Sequence, residues 1–315
     1  ALGVDLSSGS QDSQSVMGSN QLMLRGMNSS QTLVLVDGHR LADEDTASSK
    51  NMTLLQRFDL SQVEEINVIR GADGVSYGSS AMGGVINIKT KKPGSGESSG
   101  GFRLGKGENT LYFHEDPKGE GPFHLAISGR ITKVRPLSFR RDSYSRNIHY
   151  DGFDVPSYGI RRYAGLDGLY DFQSSAKNTL RFKADYFDED TDMRFSDASM
   201  SFSGGNVVLQ KDEKSHTERT QWDTSLTYEG KTERNEYSGQ AYYSRLRKYS
   251  ETWNGRPDFN EQMKEFPRYM QKFAIPQLEN LFKPWDYDRA FYEIWGFSGR
   301  NTMTFGSHSL TFGGE

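Results

Sequence analysis

Tryptophan, arginine and tyrosine gather in one stretch of the chain, where Trp253, Arg256, Arg268 and Tyr269 are accompanied by Lys272, Trp285 and Tyr287. Guanidinium forks donate paired hydrogen bonds to anionic oxygens, and cations lie favourably over aromatic faces, so this set suits an anionic aromatic chelate. The same residues equally suit the packing of one loop against its neighbour. An acidic group, Asp185, Asp188, Glu189, Asp190, Asp192 and Asp197, lacks the Asp-x-Asp-x-Asp-Gly order of a calcium loop and reads as solvated charge. His39, His114, His124, His149, His216 and His308 never fall three or four residues apart, so no local pair for zinc or haem is present. His39 and His149 are the two that a loop could bring to a haem. Cysteine is absent, which removes disulfides, thiolate metal sites and a thiol nucleophile. No positioned His-Asp pair accompanies the many serines, so no catalytic set can be named, and neither a resident metal nor a cofactor is expected.

These residues need a scaffold, and composition narrows it. Mean hydropathy is -0.75, and no apolar run approaches the ~20 residues of a membrane helix. Glycine is abundant at 33 residues while proline is only 9, and Tyr and Phe supply most of the 12% aromatic content of a polar chain. That mixture suits strands with one aromatic and one polar face. With 38 basic against 42 acidic residues there is no basic excess to hold nucleic acid. The chain opens at Ala1 with no charged and apolar leader, so a signal peptide is expected to have been removed or to lie upstream.

From residue 95 onward the hydrophobic period is two. Phe123, Leu125, Ile127 and Ile131 alternate with polar residues, as do Leu180, Phe182 and Tyr186 with Arg181, Lys183 and Asp185, and Trp222, Leu226 and Tyr228 with Gln221, Asp223 and Ser225. A soluble sandwich would alternate in the same way. Two features favour a membrane barrel: full charges inside the strands, which suit a water-filled lumen, and connections that alternate between short and long. The short ones lie at 116–121, 173–177, 230–234 and 306–308, the long ones near 136–157, 190–217 and 250–287. Tyr170, Phe172, Tyr186, Phe187 and Tyr228 near strand ends fit an interfacial girdle. This pattern predicts about eight strands and the start of a ninth, with a short helix at 258–266 in the last long loop.

Residues 1–94 read differently. Thr32–Val36 is a buried strand running into the tight turn Asp37-Gly38; a second strand covers 63–70, and a third covers 85–90 after Gly83-Gly84. Arg25-Gly26, then Thr32 to Val36 with Asp37-Gly38-His39-Arg40, then Val63-Glu64-Glu65-Ile66-Asn67-Val68-Ile69-Arg70-Gly71, Tyr77-Gly78 and Gly83-Gly84-Val85-Ile86-Asn87-Ile88 resemble, in order, the plug domain of TonB-dependent outer-membrane receptors. Within that family the pattern is nearest to catecholate-siderophore and colicin I receptors.

The resemblance implies a mainly β fold: a small mixed α/β plug at 1–94, its N-terminal part missing, followed at 95–315 by the first part of a barrel of about twenty-two antiparallel strands. At eight to nine strands the chain reads as a fragment. It further implies an outer-membrane location in a Gram-negative cell, no enzymatic activity, and contact with outer-membrane lipid. Its partners would be the TonB protein of the inner-membrane complex, which supplies energy, an iron chelate as ligand, and bacteriocins or phages exploiting the loops. A ferric siderophore is the expected cargo, with haem, cobalamin and glycans the alternatives in the same family. A passive porin or adhesin and an outer-membrane enzyme are the rivals from other classes. By the same resemblance, residues 41–57 form an apical plug loop offering Arg40, Lys50, Asn51 and Arg57 to an anionic chelate. Arg25 and Arg70, each before a glycine, would latch the plug to carboxylates of the barrel wall.

Overall fold

The computed structural model describes residues 4–8, 20–24, 32–43, 62–69, 84–135 except 106, short strand segments between 137 and 155, 158–172, 177–202, 205–254, and 285–314 except 307. Over 4–24, 137–155 and 193–215 the description is of the backbone.

The N-terminal part contains five strands. β1 (Val4–Ser8) and β2 (Asn20–Leu24) form an antiparallel pair that the sequence pattern does not mark. β3 (Thr32–Val36), β4 (Val63–Ile69) and β5 (Gly84–Thr90) form a three-stranded mixed sheet in the order β3-β5-β4. β3 runs parallel to β5 with Val34 opposite Ile86, and β4 runs antiparallel to β5. Strands covered on both faces carry near-continuous apolar runs rather than alternation. Accordingly Val34, Val36, Ile86 and Ile88 pack with Leu41 on one face, while Leu33, Leu35 and Val85 pack on the other. Among the described residues this part is strand, bridge and turn, with a single 3-10 position at Gln62, so the helical share expected of a mixed plug falls outside them.

β3 ends in a turn that sets the direction of residues 39–43. Asp37 and Gly38 both have positive φ, 48° and 86°, the conformation of a two-residue type I′ turn. Val36 and His39 exchange both backbone hydrogen bonds across it, at 3.0 and 3.1 Å.

The remainder is one nine-stranded antiparallel meander. Its strands are β6 (Ser99–Leu104), β7 (Glu108–Glu115), β8 (Phe123–Val134), β13 (Tyr158–Asp171), β14 (Lys177–Phe202), β15 (Gly205–Lys231), β16 (Asn235–Asn254), β17 (Trp285–Phe305) and β18 (His308–Gly314), each paired with the next. Between β8 and β13, β9 (Leu137–Phe139) pairs with β12 (Phe153–Val155), and β10 (Tyr144–Ser145) pairs with β11 (Ile148–His149). The four short connections expected from the sequence join β7 to β8, β13 to β14, β15 to β16 and β17 to β18, so all lie at one end of the sheet. The two faces also follow the expected alternation: Trp222 is 51% and Leu226 45% exposed on one face, whereas Gln221 is 0% and Asp223 8% exposed on the other. The expected short helix at 258–266 lies outside the described residues.

Two expectations are corrected. Residues 190–217 are not a loop: β14 and β15 stay paired out to Phe202 opposite Gly205, with one register shift between Ser196 and Ala198. Backbone pairing carries both strands well past the segments that the sequence marks as strands. At 26 and 27 residues these strands far exceed the about 9–11 needed to cross a bilayer. The charged face of the wall is not lined by water at Lys183 and Asp223 either; both are buried, because the small N-terminal sheet lies against them.

Candidate functional site

The contact between the small sheet and the wall is built from the β3 turn, residues Leu41-Ala42 beyond it, and the end of β5. Lys183 and Arg181 are two residues apart on β14, so both project to the same face of the wall, where they meet Asp37. The Asp37 carboxylate accepts hydrogen bonds from the Thr90 amide at 2.8 Å, the Thr90 hydroxyl at 2.7 Å and the Lys183 ammonium at 3.1 Å. Arg181 donates to the Thr90 hydroxyl at 2.7 Å and to the Lys91 carbonyl at 2.9 Å, while its Nε donates to Asp167 of β13 at 2.9 Å. Asp185 lies 3.7 Å from Lys183 and accepts the Tyr163 hydroxyl at 2.7 Å. Within the wall the two cations are balanced by Asp167 and Asp185. Asp37 is the charge that the small sheet adds.

Two further contacts flank this network. His39 stacks on Tyr242 of β16 with ring centroids 5.0 Å apart, and Gln240 donates to the Asp37 carbonyl at 3.1 Å with the His39 Nδ1 3.2 Å away. The backbone of Ala42 is held at both ends by buried wall side chains: its amide donates to Ser244 Oγ at 2.7 Å, and its carbonyl accepts from Gln221 at 3.2 Å. Buried backbone groups without partners are costly, so these bonds fix the small sheet in position and height on the wall.

The electrostatics follow from burial and charge. Burial alone would raise the Asp37 pKa, but Lys183 and Arg181, together with the bonds from Thr90, outweigh it and hold the carboxyl at about 2. Burial lowers His39 to about 4, against the pull of Asp37, so its imidazole is neutral at physiological pH. Where the chain passes from the small sheet into the wall, Asp116 clamps it, accepting from the Gly94 amide at 2.6 Å, the Ser95 amide at 3.0 Å and the Ser95 hydroxyl at 2.6 Å.

Of the residues singled out in the sequence, Arg40 is described: it is half-buried at the end of the β3 turn and already has a partner. Trp253 lies on β16 opposite Trp285, with the backbone alone described. Lys50, Asn51, Arg57, Arg256, Arg268, Tyr269, Arg25 and Arg70 lie outside the described residues. The interface that is visible thus has the opposite polarity to the expected arginine latch: an acid on the small sheet meets cations on the wall. In the sequence Asp37 reads only as a turn residue; the signal available is the inward pair Arg181 and Lys183, two cations placed on one strand face without an evident purpose there.

The acidic group of the sequence separates by strand parity. Glu189 is buried on the inner face, where it accepts Arg161 at 2.9 Å and Arg219 at 2.7 Å, while Asp188 pairs with Arg162 on the other face. Register also brings His216 of β15 beside Asp190 and Asp192 of β14, with potential ligand atoms all within 4.8 Å. This grouping crosses strands, so a search for histidines close in sequence could not find it.

A small sheet docked by buried polar contacts on the charged face of a meander whose other face is apolar defines a plug seated on a membrane-type barrel wall. Residues 2–85 match the family model described as TonB-dependent Receptor Plug Domain, in agreement with the resemblance carried by residues 25–88. Among solved structures, the chain is similar to the ferric enterobactin receptor PfeA of Pseudomonas aeruginosa in complex with enterobactin, at 16% identity and a TM-score of 0.41 over 94% of this chain and 51% of that one. It is similar to the FrpB iron transporter of Neisseria meningitidis, at 15% identity and a TM-score of 0.42 over 94% and 51%. A third likeness is to the ferric yersiniabactin uptake receptor FyuA of Yersinia pestis, at 14% identity and a TM-score of 0.34 over 92% and 57%. The chain spans between 51% and 57% of the length of these structures.

Proposed function

We propose that this chain supplies the plug and the first part of the barrel of an outer-membrane receptor that imports a ferric siderophore, of catecholate type, in a Gram-negative cell. The observation that carries the reading is the seating of the β3-β5-β4 sheet on the inner face of β13 to β16 through Asp37, Thr90, Arg181 and Lys183. A wall whose inner face is occupied in this way is not the lining of an open pore, which sets a passive porin aside. Between its edge strands β6 and β18 the antiparallel wall pairs its backbone strand to strand, and its outer face is apolar, as the wall of a closed membrane barrel requires.

In this mechanism the receptor performs no bond chemistry. Ligand binds from outside to the long connections and the plug apex, where Arg40, Lys50, Asn51, Arg57, Trp253, Arg256, Arg268 and Tyr269 are the proposed contacts. The plug blocks the lumen until force from the inner-membrane TonB complex displaces it. The buried network sets the resistance to that force, and Arg25 and Arg70 are proposed to add to it. A trianionic ferric catecholate suits arginine and aromatic groups because charge-assisted bonds and cation–π contacts act on the same ligand.

The full-length receptor, purified from outer membranes, should retain a ferric tricatecholate detectable by native mass spectrometry and bind it in preference to ferric hydroxamates and haem. Retention of haem in its place would move the receptor to the haem branch of the family. Retention of neither, with no affinity for any iron chelate, would contradict the reading.

A further inference from the structure

The outward face of β16 and β17 carries three arginines that the import mechanism does not use. Arg245 and Arg247 on β16 lie opposite Glu293 and Phe291 on β17, and Tyr249 lies opposite Arg289. Aromatic residues stand in register with Arg245 and beside it: Trp222, 4.5 Å from Tyr186 between ring centroids, lies opposite Arg245, and Tyr243 opposite Trp295 lies two residues nearer the short-turn end. Aromatic belts mark the boundary between acyl chains and headgroups. Arg247 and Arg289 lie further along their strands from the short turns, at headgroup level, and together with Thr220, Tyr249 and Phe291 they line an open cleft.

Two of the three guanidiniums lie over aromatic rings. The Arg245 guanidinium sits over the Phe291 ring at 4.7 Å, and Arg289 sits over Tyr249 at 5.3 Å. The Nε of Arg245 is buried with no hydrogen-bond partner. The nearby carboxylates are engaged elsewhere: Glu293 accepts the Tyr243 hydroxyl at 2.5 Å, Glu251 accepts the Tyr249 hydroxyl at 3.2 Å, and Glu218 lies 3.3 Å from His216. Among the described residues none of the three arginines is ion-paired, whereas Arg161, Arg162, Arg181 and Arg219 all are. Guanidinium forks held over aromatic rings at a lipid boundary, facing away from the lumen, match a phosphate on a lipid rather than a cargo passing inside.

We propose that Arg245, Arg247 and Arg289 hold the phosphate of an anionic lipid headgroup of the outer leaflet, a proposal that rests on the membrane placement given above. The test uses the full-length receptor in detergent, with native mass spectrometry against bisphosphorylated lipid A, its dephosphorylated form, and inorganic phosphate. The bisphosphorylated lipid should be retained at one per receptor, the dephosphorylated lipid should not, and millimolar phosphate should not displace it. The pair Arg247→Gln with Arg289→Gln should weaken retention about thirtyfold, while Arg162→Gln, an ion-paired arginine on the same face, should leave it unchanged. Equal retention of both lipids, or of the lipid by wild type and the double variant, overturns the proposal, and displacement by inorganic phosphate reduces the site to a free-anion site. Should the double variant not fold, the comparison of the two lipids on wild type still decides. A nitroxide attached at Leu226→Cys separates the two readings: accessibility to oxygen but not to a polar relaxant supports the membrane placement whatever the lipid result, and the reverse pattern overturns that placement first.

Discussion

The Lys183 ammonium of the barrel wall lies 3.1 Å from the Asp37 carboxylate of the plug turn, across 146 residues of chain. Both side chains are about nine-tenths buried, and Thr90 bonds to each of them. A pair of this kind adds little when compared with a well-packed apolar contact. Asp37 is the charge by which the plug joins a wall network already balanced by Asp167 and Asp185, beside the Ala42 bonds to Ser244 and Gln221.

Asp37→Asn keeps the shape of the turn and removes the charge that the small sheet brings to Lys183 and Arg181, which retain Asp185 and Asp167. It should weaken plug seating by about 1.5–3 kcal/mol, the range for hydrogen bonds to a charged group, and raise passive leakage of small solutes through the full-length receptor. Single-channel conductance in planar bilayers checks this. A closed pore and wild-type plug unfolding in the variant would show that Asp37 does not hold the plug.

Seating should also weaken on acidification, in two steps. His39 is held at about 4 against 6.5 in water, so between those values a detached plug binds a proton that the seated plug does not, and stability falls as pH falls through that window. Asp37 is held at about 2 against 3.8, so its contribution is complete above 3.8 and is lost as pH falls through 2. Hydrogen exchange of plug amides against pH should show protection declining below pH 6.5, and His39→Gln should abolish the upper step while leaving the lower one.

On the lipid face, Leu226→Arg should cost about 2–4 kcal/mol near the bilayer midplane. Refolding into liposomes measures it. Its neighbour Ser225 is buried on the plug side, so Ser225→Ala should leave membrane insertion untouched. An insertion defect in Ser225→Ala with none in Leu226→Arg would mean that the faces are reversed.

For the cargo, Lys50→Ala with Arg57→Ala should lower affinity for a ferric catecholate by at least about tenfold, as expected when two charge-assisted contacts are lost. Isothermal titration of the full-length receptor reads it out, and unchanged affinity removes the apical loop from the site. Separately, Arg25→Ala with Arg70→Ala should add to the leakage of Asp37→Asn if the two latches act independently.

The strands of the plug and the faces of the wall are legible in the sequence because burial writes itself into side-chain order. Thr32–Val36 is apolar because both faces are covered, and Trp222 and Asp223 differ because one is exposed on the outer face and the other is covered on the plug side. The role of Asp37 is not legible, since its turn chemistry fully accounts for the Asp-Gly pair and its partners lie on a strand far along the chain. Nor is the reach of β14 and β15, whose pairing past Thr191 rests on backbone hydrogen bonds that do not depend on side-chain identity. His216 beside Asp190 and Asp192 depends on cross-strand register, which local spacing does not encode.

The decisive measurement is uptake of radioiron, presented as a ferric tricatecholate to cells carrying this receptor as their sole outer-membrane route for it. A plugged, TonB-driven importer accumulates iron to saturation, stops when TonB is deleted, and leaves no steady ion conductance when the chelate is absent. Accumulation that persists without TonB and rises linearly with chelate concentration would contradict that mechanism.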